Sequence, residues 1–467
     1  MAFAKEEAEL ETGHPCKADG GPCSVAKESA IVSGSELRRE SVLSVKESWH
    51  WLRSNLWVLP LTFTHIWMSA GHSLLQPFFP PLAAAKGIPA WKYGFTFSAI
   101  KASMVFGSIM SEKLIAWTSP KAVYFFGLIG FFLACMSFSL LYWCPTADTL
   151  LGGSIAAALF SGFVEGVYLV TLYGTCTSTF LHNTGIIIAI MDCMFGLGSM
   201  LGSVIGGALI DLWAFPLPYY VIGALFMSMV PYFIVKGTAP QMRTAGPVSS
   251  EDAKVTFSYY RLLINPRFMI NMGCLTLTFV MFGFNEPTLE PYVRQFNLSS
   301  TGVGTIFMAT FASYSVGAIV AGVFCQFKQD AFFEFVGASL ATISYLVVGP
   351  APFLPYEPAL WLIYLSQVCV GFSCAVLFTC PYYNAYNVAL ECGYPGTIKT
   401  SAFVSSCIFM FQMIGAIITP PLAGYVVEAV GFRNGSMVMF AILLSWLPFT
   451  FGLWMDAVCR NKNKPVA

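Results

Sequence analysis

Twelve long apolar segments follow one another from Leu56 to Met455, and they constrain the fold more than any other feature of this chain. Each runs for about 20 to 27 residues, the length that an α-helix needs to cross a bilayer core of about 30 Å. Of the 467 residues, 56% are apolar and only 10% are charged. This is too little charge to cover the surface of a soluble protein of that size. The sequence therefore predicts an all-α membrane protein with twelve transmembrane helices.

The segments form two sets of six. The first set lies at about 56–80, 93–116, 121–143, 150–174, 184–210 and 217–235, and the second at about 268–292, 303–324, 332–349, 359–386, 400–427 and 436–455. The polar stretch between the sets has the composition of a solvated connector. We therefore expect a disordered cytosolic tail at 1–54, an N-terminal six-helix half at 55–235, a cytosolic connector at 236–267, a C-terminal half at 268–456 and a cytosolic tail at 457–467.

The placement of lysine and arginine predicts the orientation of these helices. Of the 24 basic residues, 19 fall on the side of the two termini, and Lys86, Lys92, Arg294 and Arg433 fall on the other side. Basic residues concentrate in cytosolic loops, so both termini are predicted to be cytosolic. The sequons at Asn297 and Asn434 lie on the opposite side, close to the membrane, and whether either is glycosylated stays open.

An internal repeat relates the two halves. The glycine pattern of segment 5 recurs in segment 11 at an offset of 217 residues, and its members are Gly198, Gly202, Gly206 and Gly207 in the first copy and Gly415, Pro420 and Gly424 in the second. Small residues at such spacing let helices approach closely. One such pattern alone is typical of any tightly packed helix pair, but two matched copies indicate two pseudo-symmetric halves whose helices pack through these positions.

Ionisable side chains inside a bilayer are costly, so they are candidates for function. The candidates are Lys101, His72, Glu165, Asp192, Glu286 and Glu290. Alternatives remain open for several: Lys101 either neutralises Glu165 or Asp192 or does neither, Glu290 faces either the cavity or water at the rim, and His72 either packs or carries a proton. Pro287, between the two acids of segment 7, is expected to break or kink that helix and to free backbone carbonyls.

The acids outnumber the bases at this depth, because one Lys101 cannot balance four carboxylates. Protons or a cationic substrate must supply the rest, and a buried carboxyl group that exchanges protons near neutral pH can bind either. Competition for the same carboxylates is the minimal basis of proton–cation antiport. Side chains at matching depth could line the cavity and offer ring faces to an ammonium group, although packing is the alternative for each: Trp67, Tyr168, Tyr314, Tyr382, Tyr383 and Asn384.

Four strings in the chain resemble a known family. They are Gln76-Pro77-Phe78-Phe79-Pro80, the run from Phe282 to Leu289, Phe296-Asn297-Leu298, and Gly349-Pro350-Ala351-Pro352. They are similar to the vesicular amine transporter branch of the major facilitator superfamily, and most similar to its polyamine transporters, from about Leu56 to the end of segment 12. The resemblance implies the major facilitator fold with its substrate site between the halves. It also implies uptake of polyamines into acidic vesicles, driven by outward proton movement.

The resemblance places Glu286, Glu165 and Asp192 at the acidic positions of the family in helices 7, 4 and 5. The chain departs from the family where Gly162 replaces a basic residue and Asn384 replaces the helix 10 glutamate. Two further departures are Ser203, in place of a motif proline, and a poor match of Ser111-Glu112-Lys113 to the loop motif between helices 2 and 3. Lys101 could stand in for the absent helix 4 base.

These observations favour a proton-coupled antiporter of organic amines. The resemblance implies a monomer, in a vesicle, secretory or lysosome-related organelle membrane or in the plasma membrane. A facilitator of another solute, with Lys101 as its anchor, and a non-transporting receptor or scaffold are the alternatives. The sequence shows no metal-ligand set, phosphate loop or nucleophile motif, so no enzyme activity, cofactor or metal is expected. The formal net charge of zero argues against a nucleic-acid partner.

Overall fold

The computed structural model of this chain describes residues 58–179, 184–236, 260–352, 357–394 and 398–462. The predicted tail at 1–54 and most of the connector at 236–267 lie outside these ranges, as does the end of the tail at 457–467. The described residues form twelve helical units, α1 to α12, which correspond in order to the twelve apolar segments.

Two of the units are divided and ten are continuous. Unit α1 consists of Val58–Ser73 and Leu75–Ala85, and α6 consists of Pro216–Met227 and Met229–Lys236. The continuous units are α2 (Ala90–Trp117), α3 (Pro120–Leu140), α4 (Ala147–Thr179), α5 (Thr184–Leu212), α7 (Pro266–Val293), α8 (Ser300–Gln326), α9 (Asp330–Val348), α10 (Leu360–Glu391), α11 (Ile398–Val430) and α12 (Phe432–Lys462). A short helix, Tyr260–Ile264, precedes α7.

Ten units, all except α1 and α2, contain a helical stretch that is long and apolar enough to cross a membrane. Unit α1, which is divided at Leu74 into pieces of 16 and 11 residues, contains His65 and His72, and these polar side chains reduce its apolar character. Unit α2 is long, with 28 residues, but Lys92 and Lys101 reduce its apolar character. The twelve-helix prediction is thus confirmed, with α12 continuing to Lys462, past its predicted end near residue 455.

The repeated glycine pattern of α5 holds the N-terminal half together and joins it to the other half. Gly198 and Gly202 lie against the backbone of α1, where an added methyl group would overlap the carbonyls of Ile66 and Ala70. Gly207 lies instead against the beginning of α8 in the C-terminal half. Such close approach excludes larger side chains, so this stripe fixes both contacts of α5.

The second copy, on α11, makes the equivalent contacts. Gly415 lies against Thr276 of α7 in its own half, and Gly424 lies against the Ala90–Trp91 backbone of α2 in the other half. Pro420 packs beside Gly283 of α7. The pairs α1–α5 and α7–α11 within the halves, and α5–α8 and α2–α11 between them, therefore follow one pseudo-symmetric plan.

A carboxylate joins the two halves where α5 ends and α8 begins. Asp211 accepts hydrogen bonds from the backbone N–H of Ser300 at 2.9 Å, and from the N–H and Oγ1 of Thr301 at 2.8 and 2.6 Å. It thereby satisfies backbone donors that the first turn of a helix leaves free. These hydrogen bonds hold the two halves together at the end of the bundle where α5 meets α8.

Unit α7 runs unbroken through Pro287 and Pro291, which differs from the expected break. Pro291 has no N–H to donate to the Pro287 carbonyl four residues earlier. The hydroxyl of Tyr93, on α2, donates to that carbonyl at 2.8 Å instead. The freed carbonyl is therefore used for a contact between the halves.

Candidate functional site

Three side chains of the N-terminal half form a hydrogen-bonded relay at mid-bundle. Lys101 Nζ on α2 lies 2.9 Å from His72 Nε2 on α1, and His72 Nδ1 lies 3.1 Å from Glu165 Oε2 on α4. An ammonium group can only donate, so Nε2 accepts from Lys101 and Nδ1–H donates to Glu165. The structure thus joins Lys101 to Glu165 through His72, and one positive charge compensates one buried carboxylate.

One turn beyond His72 on α1, Gln76 connects the halves. Its Nε2 donates to Oε1 of Glu286, on α7, at 3.2 Å. Glu286 is only 3% exposed, and its Oε2 has no hydrogen-bond partner among the described residues. Lys101 and His72 are close enough to Glu286 for an electrostatic interaction, but the single positive charge of this pair is already compensated by Glu165. Glu286 is therefore a buried carboxyl group that holds one neutral donor and no cation of its own.

Asp192 lies in an aromatic setting built by both halves. Tyr173 Oη, on α4, donates to Asp192 Oδ1 at 3.1 Å. Tyr314 of α8 and Tyr382 of α10, in the C-terminal half, interact electrostatically with Asp192, and the Tyr382 hydroxyl also shares a 2.7 Å hydrogen bond with Ser405 of α11. The structure thus brings together two of the predicted aromatic residues and one predicted acid.

Glu290 is neutralised within its own helix, which corrects the charge count made from the sequence. Arg294 Nε and Nη2 each donate to a Glu290 carboxylate oxygen at 2.8 Å. The bidentate geometry is the strongest form of such a pair. Arg294 lies on the loop side, as its sequence position predicts, but its side chain reaches back one turn to the buried acid. Two bases rather than one therefore balance the four carboxylates.

The remaining predicted aromatic residues do not converge on the acids. Tyr168 is fully buried inside the N-terminal half, where its hydroxyl donates to Thr64 at 2.8 Å, which differs from the expected cavity-lining position. Trp67 packs edge-on against Phe63 at 6.0 Å between centroids, and its Nε1 has no hydrogen-bond partner in the described part of the chain. Tyr383 is 37% exposed on α10.

A further buried acid, Glu334, which is not among the candidates predicted from the sequence, lies beside Asn384. Asn384 Nδ2 donates to Glu334 Oε2, on α9, at 3.2 Å, and Glu334 is fully buried. Asn384 thus faces α9, although Tyr382, two residues away, is within electrostatic range of Asp192. In the sequence, Glu334 appears as a glutamate one turn into an apolar segment. Without the packing of α9, such a glutamate looks the same as one that lies at the membrane interface.

Two related six-helix halves, with buried or half-buried carboxyl groups on α4, α5 and α7 inside the bundle, define a multi-pass membrane transporter. Residues 61–391 match the Major Facilitator Superfamily, so the chain belongs to that family. Within the described ranges, no three His, Cys, Asp or Glu side chains come together as a metal site would require.

Curated relatives cover most of this chain at low identity. The mouse MFS-type transporter SLC18B1 is 24% identical over 405 residues, which are 84% of this chain and 85% of the mouse protein. The human MFS-type transporter SLC18B1 is 22% identical over 387 residues, 82% of this chain and 80% of that protein. These relatives support a transport function for the chain.

Solved structures share the fold. The nucleoside transporter NupG aligns with a TM-score of 0.64 at 14% identity, over 85% of this chain and 99% of its own. A bacterial homologue of the human lysosomal transporter Spinster, in an inward-facing and unoccupied conformation, aligns with a TM-score of 0.66 at 13% identity, over 86% and 97% of the two chains. At this identity the likeness concerns the fold alone.

Proposed function

We propose that this transporter is a proton-coupled antiporter of organic amines, with polyamines as the favoured class. The observation that carries the proposal is Glu286, a buried carboxyl group at the boundary of the halves with one neutral donor and one unpartnered oxygen. An ionised carboxylate in that setting is costly unless a cation or a proton joins it. A proton and an ammonium group therefore compete for the same oxygen, and exchange between them couples the two fluxes.

Asp192 extends the proposal from amines in general to amines with several charges. Helices α5 and α7 start at the same end of the bundle. At a rise of 1.5 Å per residue, Asp192 lies roughly 12 Å from the beginning of α5, and Glu286 lies roughly 30 Å from the beginning of α7. An extended polyamine carries ammonium groups at both ends, and so suits two acids separated along the bundle. Tyr314 and Tyr382 lie within electrostatic range of Asp192, and the face of an aromatic ring attracts an ammonium group.

We further propose that both termini are cytosolic and that the membrane is that of an acidic vesicle. The distribution of basic residues supports the orientation. The resemblance to vesicular amine transporters supports the compartment. In this arrangement protons leave the acidic lumen while amines enter it, and the monomer is the working unit.

The test is amine uptake into proteoliposomes with an acidified lumen. Uptake of labelled spermidine should follow the imposed pH gradient and should be lost in Glu286→Gln, which keeps the shape of the side chain but cannot ionise. Glu357→Gln is the matched control, because Glu357 is exposed in the segment before α10. Gradient-independent uptake by the wild type, or full gradient-driven uptake by Glu286→Gln, would contradict the mechanism.

Charge and length of the solute separate polyamines from other amines. A series of monoamines, short diamines and longer polyamines should show rising apparent affinity with length, and Asp192→Asn should remove the advantage of the long members. Equal affinity across the series would exclude the polyamine assignment and leave a monoamine antiporter. Transport of anions or neutral solutes instead would favour the facilitator with Lys101 as anchor.

A further inference from the structure

We propose that Glu334 is a second proton-binding site of the transport cycle, located in the C-terminal half apart from Glu286. The proposal rests on the proposed proton-coupled antiport. The Glu334 side chain is fully buried. Among the described residues, the one group that donates to it at an ordinary hydrogen-bond distance is the neutral amide of Asn384. Its second oxygen, Oε1, has no such partner.

Among the described residues, no base is paired with Glu334; Arg460, on α12, acts on Asp330 and is bonded to Glu391 instead. The Cys274 thiol of α7 and the Cys380 thiol of α10 are its titratable neighbours on the packed helices, and Cys380 lies 3.8 Å from Cys325 of α8 between sulfur atoms. On its own helix the neighbour is Asp330, one turn earlier. None of these can neutralise a carboxylate. A buried ion without a counter-charge is strongly destabilising, so Glu334 rests in the structure with a proton bound.

Comparison with the N-terminal half indicates that packing does not require an acid here. At one junction of that half, the first, third and fourth helices meet through hydroxyls: Thr64 Oγ1 lies 2.8 Å from Tyr124 Oη, and Tyr168 Oη donates to Thr64 at 2.8 Å. The bond between His72 and Glu165 joins the first and fourth helices at a separate place. In the C-terminal half the same three helices meet through Cys274, Glu334 and Asn384. A neutral network holds the first junction together, whereas the second contains a group that can release a proton.

The neighbours of Glu334 suit both of its protonation states. Trp446 Nε1, on α12, donates to Cys274 Sγ at 3.1 Å and fixes the thiol beside the acid. With Glu334 protonated, its O–H can donate toward that sulfur. With Glu334 ionised, the S–H can turn and donate to Oε1, while Asn384 keeps its bond to Oε2. One proton leaves or returns, the hydrogen bond between Glu334 and Cys274 reverses its direction, and the bond to Asn384 is kept.

The position of Glu334 along α9 offers a short route for that proton. Glu334 itself stands one turn from the beginning of α9 at Asp330, which the predicted orientation places near the cytosol. A proton bound at Glu334 therefore has a short path to the compartment into which protons are exported.

The experiment measures coupling rather than rate. With the membrane potential held at zero, the steady-state ratio of amine inside to outside changes about tenfold per coupled proton for each pH unit of gradient. Glu334→Gln mimics the protonated acid and cannot release its proton. At a gradient of about one pH unit, its plateau of labelled spermidine should fall about tenfold below that of the wild type, with gradient dependence retained.

A second measurement keeps the result interpretable. Counterflow exchange of labelled for unlabelled amine needs no net proton movement, so Glu334→Gln should retain it. An unchanged plateau would overturn the proposal, because Glu334 would then be structural. Loss of counterflow would overturn it too, since Glu334 would then serve the fold or the amine. If the wild type shows no gradient dependence at all, the proposed antiport fails first.

Discussion

Gln76 on α1 donates a hydrogen bond to Glu286 on α7, and this 3.2 Å contact links the two halves through an acid that has no cation of its own. His72 stands one turn before Gln76 on the same helix and is bonded to Glu165. A shift of α1 relative to α7 would therefore alter the setting of Glu286, whereas the relay, which lies within the N-terminal half, can move with α1. The proposed binding of a proton or an amine at Glu286 would couple its occupation to the relative position of the halves.

Gln76→Leu should weaken amine binding. The variant removes the only hydrogen-bond donor to Glu286 in the described structure. The ionised form of Glu286, which binds the amine, therefore loses about 1.5–3 kcal/mol of stabilisation. The KM for amine uptake should therefore rise about tenfold or more. Uptake kinetics in proteoliposomes measure it, with Gln295→Leu as the control, because Gln295 is exposed at the end of α7. An unchanged KM in Gln76→Leu would show that this bond does not set amine affinity.

The membrane-crossing helices and the repeat could be predicted from the sequence because each rests on a property of the chain itself. Segment length follows from bilayer thickness, and the glycine pattern recurs at a fixed offset. The contacts of Gly202 with α1 and of Gly424 with α2 are direct consequences of that pattern. Such features need no knowledge of how the helices are rotated.

The direction in which a single side chain points could not be predicted in the same way. Tyr168 and Tyr382 are similar in the sequence, yet one is sealed inside a half and the other is within electrostatic range of Asp192. Helix rotation and tilt decide this, and neither can be derived from segment length. The pairing of Glu290 with Arg294 was within reach, since residues four apart share a helix face, but it required α7 to continue through its prolines.

Charge reversal across the relay should restore what each single change destroys. Lys101→Glu or Glu165→Lys alone places two like charges on either side of His72, which should cost about 3–5 kcal/mol of stability. In the double variant, His72 Nε2–H can donate to Glu at position 101, and Nδ1 can accept from Lys at position 165. The relay is then rebuilt with the other tautomer of His72.

Thermal unfolding in detergent measures this effect, and amine uptake measures its functional consequence. Lys113→Glu serves as the control for a change of charge alone, because Lys113 is exposed on α2. The double variant should recover most of the stability lost by either single one. A double variant no more stable than the singles would show that the contact through His72 is not the interaction that holds these helices together.

The close approach of α5 to α1 should depend on Gly202, which has no β-carbon. A methyl group at Gly202 would overlap the Ala70 carbonyl and the Ser73 hydroxyl on α1. Backbone cannot move aside as a flexible side chain can, so Gly202→Ala should cost about 1–3 kcal/mol of stability. Gly152→Ala is the matched control, since nothing lies within 4 Å of the carbon added there on α4.

The two substitutions make the same chemical change in helices and should have opposite effects. Alanine is favoured over glycine inside a helix by about 0.5–1 kcal/mol, so Gly152→Ala should leave the unfolding temperature unchanged or slightly higher, while Gly202→Ala lowers it and reduces uptake. Equal behaviour of the two variants would mean that α5 and α1 are not in backbone contact at Gly202. The packing plan that the repeat imposes on both halves would then be incorrect at its first position.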